Sequence, residues 1–307
     1  MMELRDDRPV VVGINGPLGT YRQAVAFAIR EAALRRSAVR LVHGCQPLGV
    51  RGPADKGQPT QEQQRQARRQ LRAAAQWARQ FSADDSSIVC CIYPGSGVAA
   101  LIEESKTAAL VVAQRREISV LRSQSQLGST TSSLAARSQC PIVVLRPDSV
   151  LGRAGAGVVV SIEDPITDQY ALRVAFEEAT VRGTHLTVLS LSTQPPAELA
   201  SVASQAAAPH RDLAGSVAGH GSSQAVALYA RLFPNVLVRH HVLDTPTMEG
   251  LTKGSTGAEL LIVGRTADGR SPRLSAAARE CVNAATCPVM IVGPGQVGLV
   301  RELVSTP

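Results

Sequence analysis

The stretch from Leu110 to Pro147 returns in altered form from Leu260 to Pro294, and this recurrence constrains the chain more than any other feature of its sequence. The first copy reads LVVAQRREISVLRSQSQLGSTTSSLAARSQCPIVVLRP and the second LLIVGRTADGRSPRLSAAARECVNAATCPVMIVGP. Each is an apolar run of strand length, an irregular loop, small residues with helix-start chemistry, then Cys-Pro and a second apolar run. A loop-to-helix junction beyond a strand end presents successive backbone N–H groups and the positive end of a helix dipole, which is the layout of a phosphate site. Cys140 and Cys287 are 147 residues apart, as are Glu31 and Glu178, so the spacing predicts a tandem duplication of one domain.

Within the first half, Pro9 to Ile14 is a β-branched run closed by Asn15-Gly16-Pro17, a strand and its turn. From Thr20 apolar residues recur at helical spacing through Ala24, Phe27, Ala28 and Ala32 to about Arg36, and Val39 to Gly44 is the next strand. Strand, helix, strand in this order makes a parallel unit. Gln46 to Thr60 reads as loop, Gln61 to Phe81 as the longest helix, Ile88 to Tyr93 as a strand and Gly97 to Lys106 as a helix. Gly157 to Glu163 then matches Pro9 to Asn15, and ALRVAFEEATVRG from Ala171 parallels AVAFAIREAALRR from Ala24. Thr184 to Leu191 and Val236 to Leu243 continue the second set of strands, with a low-complexity Ala/Ser/Gly stretch from Pro195 to Gly221 read as loop and broken helix. The expected fold class is α/β, two doubly wound parallel-sheet domains in tandem. Expected boundaries are residues 1–148 and 157–307, joined by a linker at 149–156 within the flexible Pro/Gly-bearing segment from Arg146 to Gly157, in which proteases should cut first.

With 44% hydrophobic residues, 307 residues suffice for two cores. MMELRDDRP leads directly into VVVGIN, with no apolar segment long enough for a signal peptide or membrane span, so a soluble cytoplasmic protein with no membrane partner is expected. Six cysteines without metal-ligand spacing predict neither a disulfide framework nor a metal site, and adjacent Cys90 and Cys91 would face opposite sides of a strand. Charge is uneven: residues 1–152 hold 20 Lys+Arg against 12 Asp+Glu, and 153–307 hold 12 against 13. Arg65, Arg68, Arg69, Arg72 and Arg79 fall in one arc of the long helix, opposite Ala67, Leu71, Ala74, Ala78 and Phe81. Aromatics are only 3% of the chain and no base-reading module accompanies the stripe, which favours a solvated face over nucleic-acid contact.

VVVGINGP with its Ala-rich helix, AELLIVGR, and the paired CPIVVLRP and CPVMIVGP resemble the universal stress protein family in its tandem two-domain form, over nearly the whole chain. The resemblance implies five-stranded parallel sheets, an intramolecular pseudo-dimer joined near Ile142–Leu145 and Val289–Val292, and ATP between the first and fourth strand ends. It also implies a phosphate loop of the form Gly-x2-Gly-x9-Gly-Ser/Thr. In the first half Ala113 and Arg116 stand for the first two glycines, and eleven residues precede Gly128-Ser129-Thr130. In the second, Gly264 is kept, Ala267 replaces the second glycine, seven residues follow, and Ser275-Ala276 replace Gly-Ser. A Cβ where φ > 0 is needed costs about 1 kcal/mol. The acidic residue at the end of the first strand becomes Asn15, and Glu163 in the second half; Asn15 can bond a ribose without charge, and Arg115 and Arg116 add cationic charge at the loop.

Candidate nucleotide contacts are therefore Gly13, Asn15, Val42, Ala113, Arg115, Arg116, Gly128, Ser129 and Thr130 in the first half, and Glu163, Gly264 and Ser275 in the second. ATP, with Mg²⁺ entering only alongside it, is expected in the first half rather than the second, where Glu163 and Asp164 repel a triphosphate. No catalytic constellation is read. His240-His241 would face opposite sides of a strand, His43 and His185 are placed at strand edges or loops, and Gly95-Ser96-Gly97 is better explained as a helix start than as a nucleophile elbow. Glu103-Glu104 and Glu177-Glu178 are neighbours on helices and point to different faces. The reading is a non-enzymatic stress-response module with weak ATP binding, an unidentified protein partner and room for a homodimer of the two-domain chain. The alternatives are an adaptor that has lost nucleotide binding and a slow ATP hydrolase.

Overall fold

The computed structural model describes residues 7–46, 58–81, 88–115, 129–164, 166–191, 220–243, 248–267 and 272–294. The chain divides into two compact units between Leu151 and Gly152. In the first, β1 (Val10–Gly13), α1 (Arg22–Arg35), β2 (Val39–Cys45), α2 (Gln61–Arg79), β3 (Ile88–Pro94), α3 (Gly97–Glu104), β4 (Leu110–Gln114), α4 (Ser129–Arg137) and β5 (Ile142–Leu145) follow one another. The strands lie in the order β3-β2-β1-β4-β5, all parallel. Val10, Val11 and Val12 are fully buried, as a central strand covered by helices on both faces must be.

The helices form for reasons written locally. Thr60 and Gln63 make a reciprocal capping box at the start of α2. Ala67, Leu71, Ala74, Ala75 and Ala78 are buried on one side of that helix, and the five arginines are exposed on the other. Helix α1 ends with Arg36 in the left-handed region at φ 52°, its N–H reaching the carbonyls of Ala32 and Ala33.

The second unit repeats the plan with β6 (Val158–Ile162), α5 (Gln169–Arg182), β7 (Leu186–Leu191), α6 (His220–Leu232), β8 (Val238–Leu243), α7 (Met248–Gly254), β9 (Leu260–Gly264), α8 (Ala276–Ala284) and β12 (Val289–Val292). Its parallel order is β8-β7-β6-β9-β12. Between β9 and α8 two short strands, β10 (Thr266–Ala267) and β11 (Pro272–Arg273), pair antiparallel. The expected phosphate loop of this unit therefore leaves its strand as a hairpin, with Ala267 opposite Pro272.

Helix α6 was not expected from the sequence, which stops at a broken helix near Gly221. Residues 224–232 are mostly good helix formers, and Phe176 of α5 lies 5.8 Å from the Tyr229 ring and 5.5 Å from that of Phe233, so tertiary packing adds to local propensity. His43, expected at an edge or in a loop, lies inside β2, with its Nδ1 2.8 Å from the Ile14 carbonyl oxygen.

The segment expected as a flexible linker is tied down on both sides of the division. Gln23 Nε2 donates to the Ser149 carbonyl at 3.0 Å, and Ser149 Oγ accepts from Arg146 N at 2.8 Å. Beyond the division, Gly155 N donates to Glu259 Oε1 at 2.6 Å, and a Cβ on Gly152 would lie 2.6 Å from the Ala258 carbonyl oxygen.

Candidate functional site

In each unit the connections leave the first strand in opposite directions, so a crevice opens beyond the carboxyl ends of β1 and β4, and again of β6 and β9. Ligands of doubly wound sheets bind at such switch points. The residues at the two crevices differ in charge and in what fills them.

In the first unit Asn15 is exposed, and its carbonyl accepts from Thr20 Oγ1 at 3.1 Å. A Cβ on Gly13 would come within 2.9 Å of Leu101 Cδ1 on α3, so the leucine side chain packs over the glycine. Val42 and Ala113 are buried in the sheet, and the Val42 carbonyl accepts from Ile14 N at 2.8 Å. The Gln114 side chain reaches across from β4 to accept from Ala24 N at 3.2 Å, supplying the cap that Tyr21 does not give α1. Arg115 follows, its N–H bonded to the Leu145 carbonyl at 2.7 Å. Burial, then the neighbouring Arg146, pushes the Arg115 guanidinium below its ordinary value, with Asp148 acting the other way. Asp148 grips Arg146 through two bonds of 2.9 and 2.7 Å. Ser129 opens α4 with Thr130 exposed beside it; Arg116 and Gly128 lie outside the described residues.

In the second unit the crevice holds carboxylates. Asp168, missed in the sequence reading, is buried before α5, and its Oδ2 accepts from Glu163 N at 2.8 Å and Asp164 N at 3.1 Å. Its Oδ1 would lie 2.2 Å from a Cβ on Gly264, so the glycine at the end of β9 makes room for this side chain. Burial raises the Asp168 pKa against the two N–H bonds that lower it, with Glu163 and Asp164 adding to the rise. Glu163 accepts from the hydroxyl of Ser275, and Ser275 Oγ accepts in turn from Ala278 N at 2.9 Å, capping α8. The three second-unit candidates Glu163, Gly264 and Ser275 are thus gathered at one place. Arg265, counterpart of Arg115, lies folded over Gly293, where a Cβ would stand 1.9 Å from its Nε. Arg146 occupies the matching place in the first unit.

Other polar groups gather away from the crevices. Ser190 Oγ and His240 Nε2 are 2.7 Å apart on adjacent strands, but the serine is buried, and burial followed by His241 lowers the His240 pKa. Among the described residues no group of three or more His, Cys, Asp or Glu side chains could hold a metal ion, and no helix is long and apolar enough to cross a membrane.

Two doubly wound parallel sheets, each with a crevice at its switch point and a small-residue helix start beside it, define a tandem doubly wound α/β protein. The sequence pattern of the universal stress protein family matches residues 8–146 and again 157–293, and the chain belongs to that family. A universal stress protein of Mycobacterium tuberculosis is 27% identical over 272 residues, covering 83% of this chain and 85% of that one. One from Mycolicibacterium smegmatis is 26% identical over 305 residues, covering 96% and 100%. The crystal structure of a universal stress protein from Archaeoglobus fulgidus shares the fold with a TM-score of 0.66 at 13% identity, covering 94% of this chain and all of that one.

Proposed function

We propose that the protein is a non-enzymatic, cytoplasmic stress-response module whose first unit binds ATP, with Mg²⁺ arriving only on the nucleotide and the output passed to a protein partner. The observation that carries the reading is the contrast at the two switch points: Arg115 beside the Arg146–Asp148 ion pair in the first unit, a net positive charge, and Glu163 and Asp168 in the second. A polyphosphate is drawn to the first arrangement and repelled by the second. Asn15 offers a ribose an uncharged partner, and the start of α4 at Ser129 and Thr130 directs backbone N–H groups at a phosphate. Cationic charge from Arg115 and Arg116 would offset the backbone donors that are lost with the loop glycines.

A few hydrogen bonds and one charge cluster give a Kd of roughly 10 μM to 1 mM. Isothermal calorimetry with ATP and Mg²⁺ tests the proposal. It should show at most one site per chain, and a signal abolished by Arg115→Ala with Arg116→Ala. Two equivalent sites, or a signal that survives the double substitution, would sink it. Phosphate release above a Mg²⁺-free control would favour the slow hydrolase instead.

A further inference from the structure

We infer that the second unit carries its own anion: the Asp168 and Glu163 carboxylates occupy the places a bound phosphate would take at the β6/β9 crevice, closing that unit to phosphate-bearing ligands. The inference rests on the reading that nucleotides enter these crevices.

Anion sites at switch points use two donor sets, consecutive backbone N–H groups at a turn and the first N–H groups of a helix. Both sets are in use here. The consecutive N–H groups of Glu163 and Asp164 converge on Asp168 Oδ2, a bonding pattern an oxyanion would receive. At the start of α8, Ser275 takes the Ala278 N–H and gives its own proton to Glu163, so the hydroxyl that should meet a phosphate already holds a carboxylate. Gly264, the one glycine of the loop pattern kept in this unit, has its missing Cβ replaced by Asp168 Oδ1. The residue that reads as a phosphate-loop glycine serves an internal carboxylate.

The duplication provides a control within the same chain. At the places of Glu163, Asp168 and Gly264 the first unit has Asn15, Tyr21 and Gln114, none of them anionic; the strand ends put Gln114, and not Ala113 as the sequence pattern suggests, opposite Gly264 in the repeat. Tyr21 turns into the core, with its hydroxyl 3.4 Å from the Gln70 carbonyl, and Gln114 caps α1. The fold therefore does not need carboxylates at this point, and their presence in one unit sets its ligand preference.

If the carboxylates stand in for an anion, removing them leaves donors that an added anion should satisfy. The test uses the full chain carrying Arg115→Ala with Arg116→Ala, so that its outcome does not depend on ATP binding in the first unit. Into that parent are placed Glu163→Ala and Asp168→Ala, and melting temperature is followed against inorganic phosphate, with sodium chloride at matched ionic strength as reference. The expected result is a lowered melting temperature that phosphate, and not chloride, raises by several degrees, while the parent responds to both salts alike. An equal phosphate response in parent and variant, or none beyond chloride in the variant, would overturn the inference. Should the double variant not fold, Glu163→Ala alone, which frees only the Ser275 end, is read the same way. Failure of wild-type protein to bind ATP would bear on the first unit and leave this result standing.

Discussion

Arg40 Nη1 donates to Glu104 Oε2 at 2.7 Å, joining β2 to the last residue of α3, and the Tyr93 hydroxyl of β3 donates to the other oxygen of the same carboxylate at 2.5 Å. Glu104 is buried whereas Arg40 is about one-third exposed. Glu104→Gln should cost about 2 kcal/mol, below the figure for a fully buried pair because water still screens Arg40. The hydrogen bond to Glu104, then burial, raises the Tyr93 pKa from 10.0 to about 12. A phenol whose folded pKa is raised contributes stability that is complete below pH 10 and lost as pH rises toward 12, because only the unfolded chain ionises in that window. A plot of urea midpoint against pH should fall less steeply between pH 10 and 12 in Tyr93→Phe than in wild type; parallel curves would contradict the coupling.

The Glu31–Arg35 pair of α1 returns in α5 as Glu178–Arg182, with all four side chains at 3% exposure or less. Duplication kept a buried ion pair in both copies. Removing one partner strands a charge at a cost of about 3 kcal/mol, whereas removing both leaves apolar packing that is often close to neutral. Glu178→Leu should therefore lower the urea midpoint, and Glu178→Leu with Arg182→Leu should recover only part of the loss, because Arg182 Nε also lies 4.0 Å from Oε2 of buried Glu259, which the double substitution leaves without its arginine. Additive losses would mean that the two groups do not act as a pair.

The sheets were legible because β-branched runs and the repeat speak to local chemistry. Val10–Gly13 and Val158–Ile162 announce central strands, and the alanines of α2 lie at helical spacing. What escaped depends on partners distant in sequence. Asp168 resembles an ordinary residue before a helix until Gly264 is brought against it, and the aromatic contacts that support α6 join Phe176 to Tyr229 and Phe233. The pairing of β10 with β11 involves two residues a side, too short for periodicity to register. Glu163 was legible as a charge at a strand end, but its bond to Ser275 was not.

Thiol reactivity should divide the six cysteines by burial. Cys45, Cys140, Cys281 and Cys287 are buried, Cys91 is half-buried and Cys90 is exposed. Burial pushes the thiols of Cys140 and Cys281 up to about 12 and that of Cys287 to about 11, so the reactive thiolate is scarce at neutral pH. Burial raises Cys90 and Cys91 as well, which slows them without shielding them from reagent. With an aromatic disulfide reagent at pH 7 at most two thiols should react in the folded chain, and all six after unfolding. Fast modification of Cys140 or Cys287, identified by mass spectrometry, would show that the strand ends open on the reagent's timescale.

Gly264 and Asp168 are expected to be coupled in stability, because the space beside the glycine backbone is the space the carboxylate fills. A Cβ at 264 would stand 2.2 Å from Asp168 Oδ1, well inside contact distance, so Gly264→Ala must displace the carboxylate or bend the end of β9. Displacement would break the bonds from Glu163 N and Asp164 N, leaving two N–H groups to find water. Gly264→Ala alone should lower stability by about 2 kcal/mol, the middle of the range for overpacking a tight site. In an Asp168→Ala background the obstruction is gone, and the same glycine substitution should cost under about 1 kcal/mol. Four urea curves complete the cycle. Equal costs of Gly264→Ala in both backgrounds would show that the glycine serves something other than Asp168, and would return it to the role of a loop residue shaped for an external phosphate.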